Sequence, residues 1–235
     1  MAEQAPFPHP SVFLDEKTLA RIKGYRVHES RTPERPVRVI TPSQTIGPFF
    51  AVGLHASNED DLACTTPGGP RAGGTPIVVA GQVTDEHGRP VRKALIEVWQ
   101  ANRWGKYEHP DDITDAAVDP NFKGWGRMLT DAEGRYRFRS VLPGAYPNPG
   151  YDHWMRPPHI HFSIFAAGVM QRLITQLYFP DEPLNDIDPI LNGVLDLQAR
   201  ASLIARRAGE ADGVAAYTFD IVLKGPDQTE FFVDA

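Results

Sequence analysis

The chain has 235 residues, 41% hydrophobic and 23% charged, with a net charge of −6, a composition that suits a soluble domain with one sizeable core. No basic cluster points to nucleic acid, and no apolar run reaches the length of a bilayer span. The single cysteine, Cys64, excludes an intrachain disulfide and a thiolate-rich zinc site. The start, MAEQAPFPHP, has neither the basic stretch nor the apolar core of a secretion signal, so the expected location is the cytoplasm.

Residues 1–75 carry Pro8, Pro10, Pro33, Pro36, Pro42, Pro48, Pro67 and Pro70, with one short helix expected over 16–23. So much irregular chain is uncommon in a compact domain unless it has a partner to lie against. Val37, Val39, Ile40, Phe49, Phe50 and Leu54 make it too apolar for a free tail. We read 1–75 as an arm that packs on a neighbouring subunit and 76–235 as the β-sandwich domain.

From residue 77 the texture changes to short strands between turn signals. Residues 77–84 alternate, 85–90 (DEHGRP) read as a reversing turn, and 94–100 read as the returning strand. Leu95, Glu97 and Trp99 fall on one face of that strand, and Ile96 and Val98 on the other. A second hairpin is expected over 128–141, with Asp131-Ala132-Glu133-Gly134 as its turn and Tyr136 and Phe138 on one face. Residues 159–165, 173–179, 217–223 and 231–233 read as further strands. A helix is expected over 195–207, where Leu195, Ala199, Ser202, Leu203 and Arg206 follow helical spacing and Gly209 stands beyond the end. The fold class is mainly β: a β-sandwich with a long irregular N-terminal arm and a short C-terminal helix.

Pro157 and Pro158 forbid helix and push the chain directly into the strand that opens with His159-Ile160-His161. Residues two apart share a face, so His159 and His161 project side by side, a geometry that suits two imidazoles on one metal ion. Taken alone, such a pair is more often hydrogen-bonded than ligating. His87, His109 and His153 stand in polar loops and read as exposed.

Trp99-Gln100-Ala101-Asn102, Gly105-Lys106-Tyr107, Pro143-Gly144-Ala145-Tyr146-Pro147 and Arg156-Pro157-Pro158-His159-Ile160-His161 follow one another in the chain. Together they resemble the intradiol ring-cleavage dioxygenases, from near Tyr25 to the C-terminus, with a departure over residues 148–155. The likeness is strongest to the members built of two related subunits that act on 3,4-dihydroxybenzoate. It implies an iron(III) site held by Tyr107, Tyr146, His159 and His161, and a homologous α subunit as partner in a hetero-oligomer. It also implies that Arg156 adjoins the substrate ring with Gln176 beside it, that Trp99 lines the pocket, and that Tyr25 meets the substrate carboxylate. Tyr146, in a loop outside any predicted strand, is implied to leave the iron as substrate binds and to act as a base.

The chemistry is consistent with that donor set. A phenol has an ordinary pKa of about 10, and a trivalent cation can hold it deprotonated. Two phenolates and a hydroxide balance the charge of iron(III), and neutral imidazoles complete the site without adding to it. Two other readings stay open: a catechol or hydroxyquinol dioxygenase with the same ligands, and a non-enzymatic metal-binding β-sandwich module.

Overall fold

A computed structural model describes residues 59–148 and 154–233. The chain divides into two compact units, one made of Met1–Pro42 with Pro147–Trp154, the other of Ser43–Tyr146 with Met155–Ala235. In the first unit the Asn148 N–H donates to the Trp154 carbonyl at 2.9 Å. All else concerns the second. The expected helix over 16–23 and most of the expected arm lie outside the described residues.

In chain order the elements are β1 (Pro76–Thr84), β2 (Leu95–Trp99), β3 (Trp125–Leu129), β4 (Arg135–Val141), β5 (Tyr146–Pro147), β6 (Met155–Arg156), β7 (His159–Phe165) and β8 (Leu173–Tyr178). A 3-10 turn (Pro183–Asp186), α1 (Pro189–Gly193), α2 (Leu197–Ser202), β9 (Arg206–Ala211), β10 (Val214–Thr218) and β11 (Ile221–Val222) follow. One sheet is antiparallel, in the order β3-β2-β7-β8. The other is built around β1, with β4 antiparallel on one side and β10 and β11 parallel to its successive halves on the other. β9 pairs with β10 at its rim.

The alternation read from the sequence drives the two sheets together. Ile77, Val79, Val83, Tyr136, Phe138, Tyr217, Phe219 and Ile221 from one sheet share a single buried cluster with Ile96, Val98, Met128, Ile160, Phe162, Ile164 and Leu177 from the other. Phe162 lies at the centre, with ring centroids 5.9 Å from Tyr136, 6.0 Å from Phe138 and 5.1 Å from Phe219. Fully burying a side chain of this size contributes about 1.5–3 kcal/mol, which is why the register of each strand is fixed. Within residues 59–75 of the expected arm, Leu62 and Ala63 are buried in this same core.

Several expectations need correction. The strands on either side of both predicted hairpin turns exist but do not pair with one another: β1 and β4 belong to one sheet, β2 and β3 to the other. Each turn is closed locally, by the Val91 N–H on the Val83 carbonyl and by the Asp131 N–H on the Arg135 carbonyl. Beyond those bonds the chain crosses between layers, which lets both flanking strands bury their apolar faces in one core. The strand expected over 217–223 is broken into β10 and β11 at Phe219 and Asp220. Gly81 stands at the break, where a Cβ would fall 1.8 Å from the Phe219 carbonyl oxygen. Only Phe232 of the strand expected over 231–233 bridges, to Ile174.

The helix expected over 195–207 is α2 alone, six residues long. Leu195, the first member of its supposed apolar stripe, is 73% exposed, so no buried face sustains the helix. After Ser202 the chain is drawn out to the end of β8, with the Tyr178 N–H on the Leu203 carbonyl and the Ala205 N–H on the Tyr178 carbonyl. Arg206 and Arg207 then enter β9, which the sequence reading missed.

Candidate metal centre

The four-stranded sheet sets out the centre by register. Trp125 on β3 faces Trp99 on β2, Trp99 faces His161 on β7, and His161 faces Gln176 on β8. One step along, His159 faces Tyr178. Because strand side chains alternate, Val98, Ile160, Phe162 and Leu177 point the other way, into the core. The face opposite the core therefore carries the polar row.

His159 is 1% exposed, and its Nδ1–H donates to the Pro157 carbonyl at 2.7 Å. That bond selects the tautomer with a lone pair on Nε2, the form that ligates metal. His159 Nε2 lies 3.1 Å from His161 Nε2 and 3.2 Å from the Tyr146 hydroxyl. Either a shared proton or a cation can satisfy two ring nitrogens so placed. Burial disfavours the proton: it pushes His159 well below its ordinary pKa, with His161 and Arg156 adding to the effect against the opposing Pro157 carbonyl. Burial, and then Arg156, bring His161 down to about 4. Both rings are neutral at pH 7.

The two phenols arrive on adjoining loops joined at Asn102. Its carbonyl accepts from the Gly105 N–H at 3.0 Å and from the Gly144 N–H at 2.9 Å, and its side-chain oxygen accepts from the Trp104 and Lys106 N–H groups. The loops touch so closely that a Cβ on Gly105 would fall 2.2 Å from the Ala145 carbonyl oxygen, and one on Gly144 would fall 2.5 Å from the Arg103 carbonyl oxygen. Gly105 also has φ +77°, a left-handed conformation that side chains resist. Tyr107 is held from its other side, its N–H donating to Asp112 at 2.8 Å, while Lys106 Nζ donates to Asp112 and Thr114.

The Tyr107 and Tyr146 rings thus meet edge to face at 5.3 Å. The Tyr107 hydroxyl is buried without a hydrogen bond, a state that costs about 1–3 kcal/mol unless something else binds it. Burial pushes its phenol well above the ordinary range and Tyr146 pushes it further; burial also raises Tyr146. Among the described residues no three His, Cys, Asp or Glu are grouped to hold a metal ion. The phenols would complete a four-donor set of two imidazole nitrogens and two hard oxygens, one of them the orphaned Tyr107 hydroxyl, and such a set fits a hard, highly charged cation.

Arg156, at the end of β6, is 4% exposed. Its Nη2 donates to Gln176 Oε1 at 2.8 Å and to the Tyr178 hydroxyl at 2.9 Å, and its Nε lies 3.4 Å from Asp188. Trp99 is 44% exposed rather than core, and its ring meets Tyr107 at 4.8 Å. The structure thus brings together Trp99, Tyr107, Tyr146, Arg156, His159, His161 and Gln176. Tyr25 and His153 lie outside the described residues, and His87 and His109 are exposed as expected.

The sequence also matches a family model described as dioxygenase over residues 45–225. The chain belongs to the intradiol ring-cleavage dioxygenases. Among relatives of this dioxygenase, the β chain of protocatechuate 3,4-dioxygenase from Burkholderia cepacia is 52% identical over 161 residues, which make up 66% of this chain and 67% of that one. The α chain from Pseudomonas putida is 38% identical over 199 residues, 82% of this chain and 95% of its own. Catechol and hydroxyquinol 1,2-dioxygenases match as well. Of solved structures, the dioxygenase domain of a carbohydrate-binding fusion from Streptomyces sp. SirexAA-E is similar with a TM-score of 0.51 at 28% identity, covering 80% of this chain and 99% of that one.

Three residues of this centre escaped the sequence reading. Tyr178 carried a usable signal, since it stands two places after Gln176 and must share its face of β8. Asp112 and Asp188 carried none, because acidic residues in polar loops are ordinarily solvated. Tyr146 also opens the two-residue β5 instead of lying in a loop; a strand that short has no period to read.

Proposed function

We propose that the dioxygenase holds iron(III) on Tyr107, Tyr146, His159 and His161 and, with dioxygen, opens protocatechuate (3,4-dihydroxybenzoate) between its two hydroxyl-bearing carbons, giving 3-carboxy-cis,cis-muconate. In this reading it is the β chain of a hetero-oligomer with a homologous α chain. The observation that carries the proposal is the meeting of two neutral imidazoles, that of His159 buried and that of His161 half-buried, with two half-buried phenols, the Tyr107 hydroxyl being buried without a hydrogen bond. Its 52% identity to a protocatechuate 3,4-dioxygenase β chain supports the choice of substrate, and its likeness to α chains supports the choice of partner.

Bound at these donors, a ferric ion would supply the Lewis acidity that keeps phenols and catechol deprotonated and activates the ring toward dioxygen. The chain's own residues do the rest. Held as a phenolate by such an ion, Tyr146 Oη would take the proton of a catechol hydroxyl and become a neutral phenol, a transfer suited to the less buried of the two. The neutral His159 and His161 offer lone pairs and add no positive charge that would repel the metal ion. Arg156 sets a fixed cation against the substrate ring, where negative charge grows during oxygen attack, and Gln176 and Tyr178 hold its guanidinium. Trp99 forms a wall beside Tyr107. Tyr25 is assigned to the substrate carboxylate.

The test is iron content and the visible spectrum of the purified protein, then anaerobic addition of protocatechuate and catechol separately. A reddish-brown ferric-phenolate band that shifts strongly only with protocatechuate is expected. A colourless zinc protein would overturn the metal assignment, and a shift with catechol alone would move the substrate to catechol. Tyr107→Phe should lose iron, whereas Tyr146→Phe should keep it and bind substrate more slowly in stopped flow. Equal iron loss in both would end this division of roles.

A further inference from the structure

Asp188 is the least accessible carboxylate of the site, at 0% exposure. It stands at the start of α1, the position of a helix cap, and its carboxylate does face the Ile190 and Leu191 N–H groups. Both distances are 3.4 Å, too long for a well-made cap. Asp196, in the same position before α2, reaches its two N–H groups at 2.8 and 3.0 Å. The difference between these caps has a direction: Asp188 Oδ1 lies as close to Arg156 Nε, 3.4 Å, as to its own helix. The carboxylate is shared between helix and guanidinium and is ideal for neither.

Arg156 Nη2 donates to Gln176 Oε1 and Tyr178 Oη, and Tyr178 Oη donates in turn to Gln176 Oε1 at 2.7 Å. The Tyr178 ring stacks on His159 at 5.6 Å and 29°. Gln176 and Tyr178 thus hold Nη2 by hydrogen bonds, while Nε makes none and faces the Asp188 carboxylate as an ion pair. A buried cation without a counter-charge is strongly destabilising, and a free side chain of this length has many rotamers to choose from. Asp188 answers both difficulties with one group.

We infer that Asp188 is a positioning residue for Arg156: its carboxylate fixes the Nε edge of the guanidinium and so aims the cation at the substrate ring. This rests on the proposed role of Arg156. Arg156 is the cation that the Asp188 carboxylate faces, and among the described residues no hydrogen bond joins that carboxylate to Tyr107, Tyr146, His159 or His161.

Asp188→Asn separates this role from capping, because the amide keeps an oxygen for the α1 N–H groups and removes only the charge. With the iron-loaded protein and protocatechuate, kcat should fall about 10–100-fold, while KM, iron content and the visible band stay as in the parent protein. In an Arg156→Ser background the same change should cause no further loss, since the two residues act as a unit. Retention of kcat within threefold in Asp188→Asn, or a fully multiplicative loss in the double variant, would overturn the inference and leave the functional reading standing. A parent protein that turns over neither protocatechuate nor catechol would overturn both. Should Asp188→Asn fail to fold, Asp188→Glu keeps the charge and displaces it by one methylene. It should then lower kcat severalfold at unchanged KM, and full activity would dismiss the positioning role.

Discussion

The two faces of the four-stranded sheet are made by the same strands and obey different physics. On the inner face Ile96, Val98, Ile160, Phe162, Ile164 and Leu177 fill space, and their fit depends on volume. On the outer face His159, His161, Gln176 and Tyr178 depend on direction, each tied by a named bond or ring contact. Ile160 stands between the two histidines with its side chain wholly buried on the inner side. The lesson is that the outer face borrows its rigidity from the inner one, a single residue away along the chain.

That division can be broken from either side. Phe162→Ala, on the inner face, should cost about 3–5 kcal/mol of stability, read as a lower denaturation midpoint. Because the sheet carries the donors, iron retention should fall in parallel. Arg156→Ser, on the outer side, should keep iron and colour and lose about 10²–10³ in kcat, equivalent to about 2.7–4 kcal/mol at the transition state. If Arg156→Ser lost its iron instead, the guanidinium would belong to the framework and not to the chemistry. Ile160→Val probes the boundary with the smallest expected change, about 0.5–1.5 kcal/mol of stability. Unchanged iron and kcat there would show that the two faces communicate through strand geometry and not through packing detail.

The inner face was the more legible of the two. Alternation in residues 77–84, 94–100 and 159–165 marks each strand and its buried side, because apolar burial leaves a period of two in the chain. His159 and His161 follow from the same period. The phenols do not: Tyr107 and Tyr146 reach the histidines through loops tied at Asn102, and their place in the sequence was readable only through a family pattern. The layer crossings at 85–90 and 131–134 were read as hairpins because a turn signal reports that the chain reverses and says nothing of which strand it will meet next. Arg206 and Arg207 went into a strand because Thr218 and Tyr217 of β10 had main-chain groups to pair, a tertiary demand that local spacing cannot carry.

The tie at Asn102 has a consequence for how an ion would be acquired. One carbonyl receives the N–H groups of Gly105 and Gly144, so the segments leading to Tyr107 and Tyr146 are joined by main-chain bonds in which no cation takes part. The receptacle is moulded by the polypeptide. Chelation would then empty a standing seat instead of unravelling a domain, and reloading would be saturable binding to a folded protein, adding stability by mass action at the occupied seat.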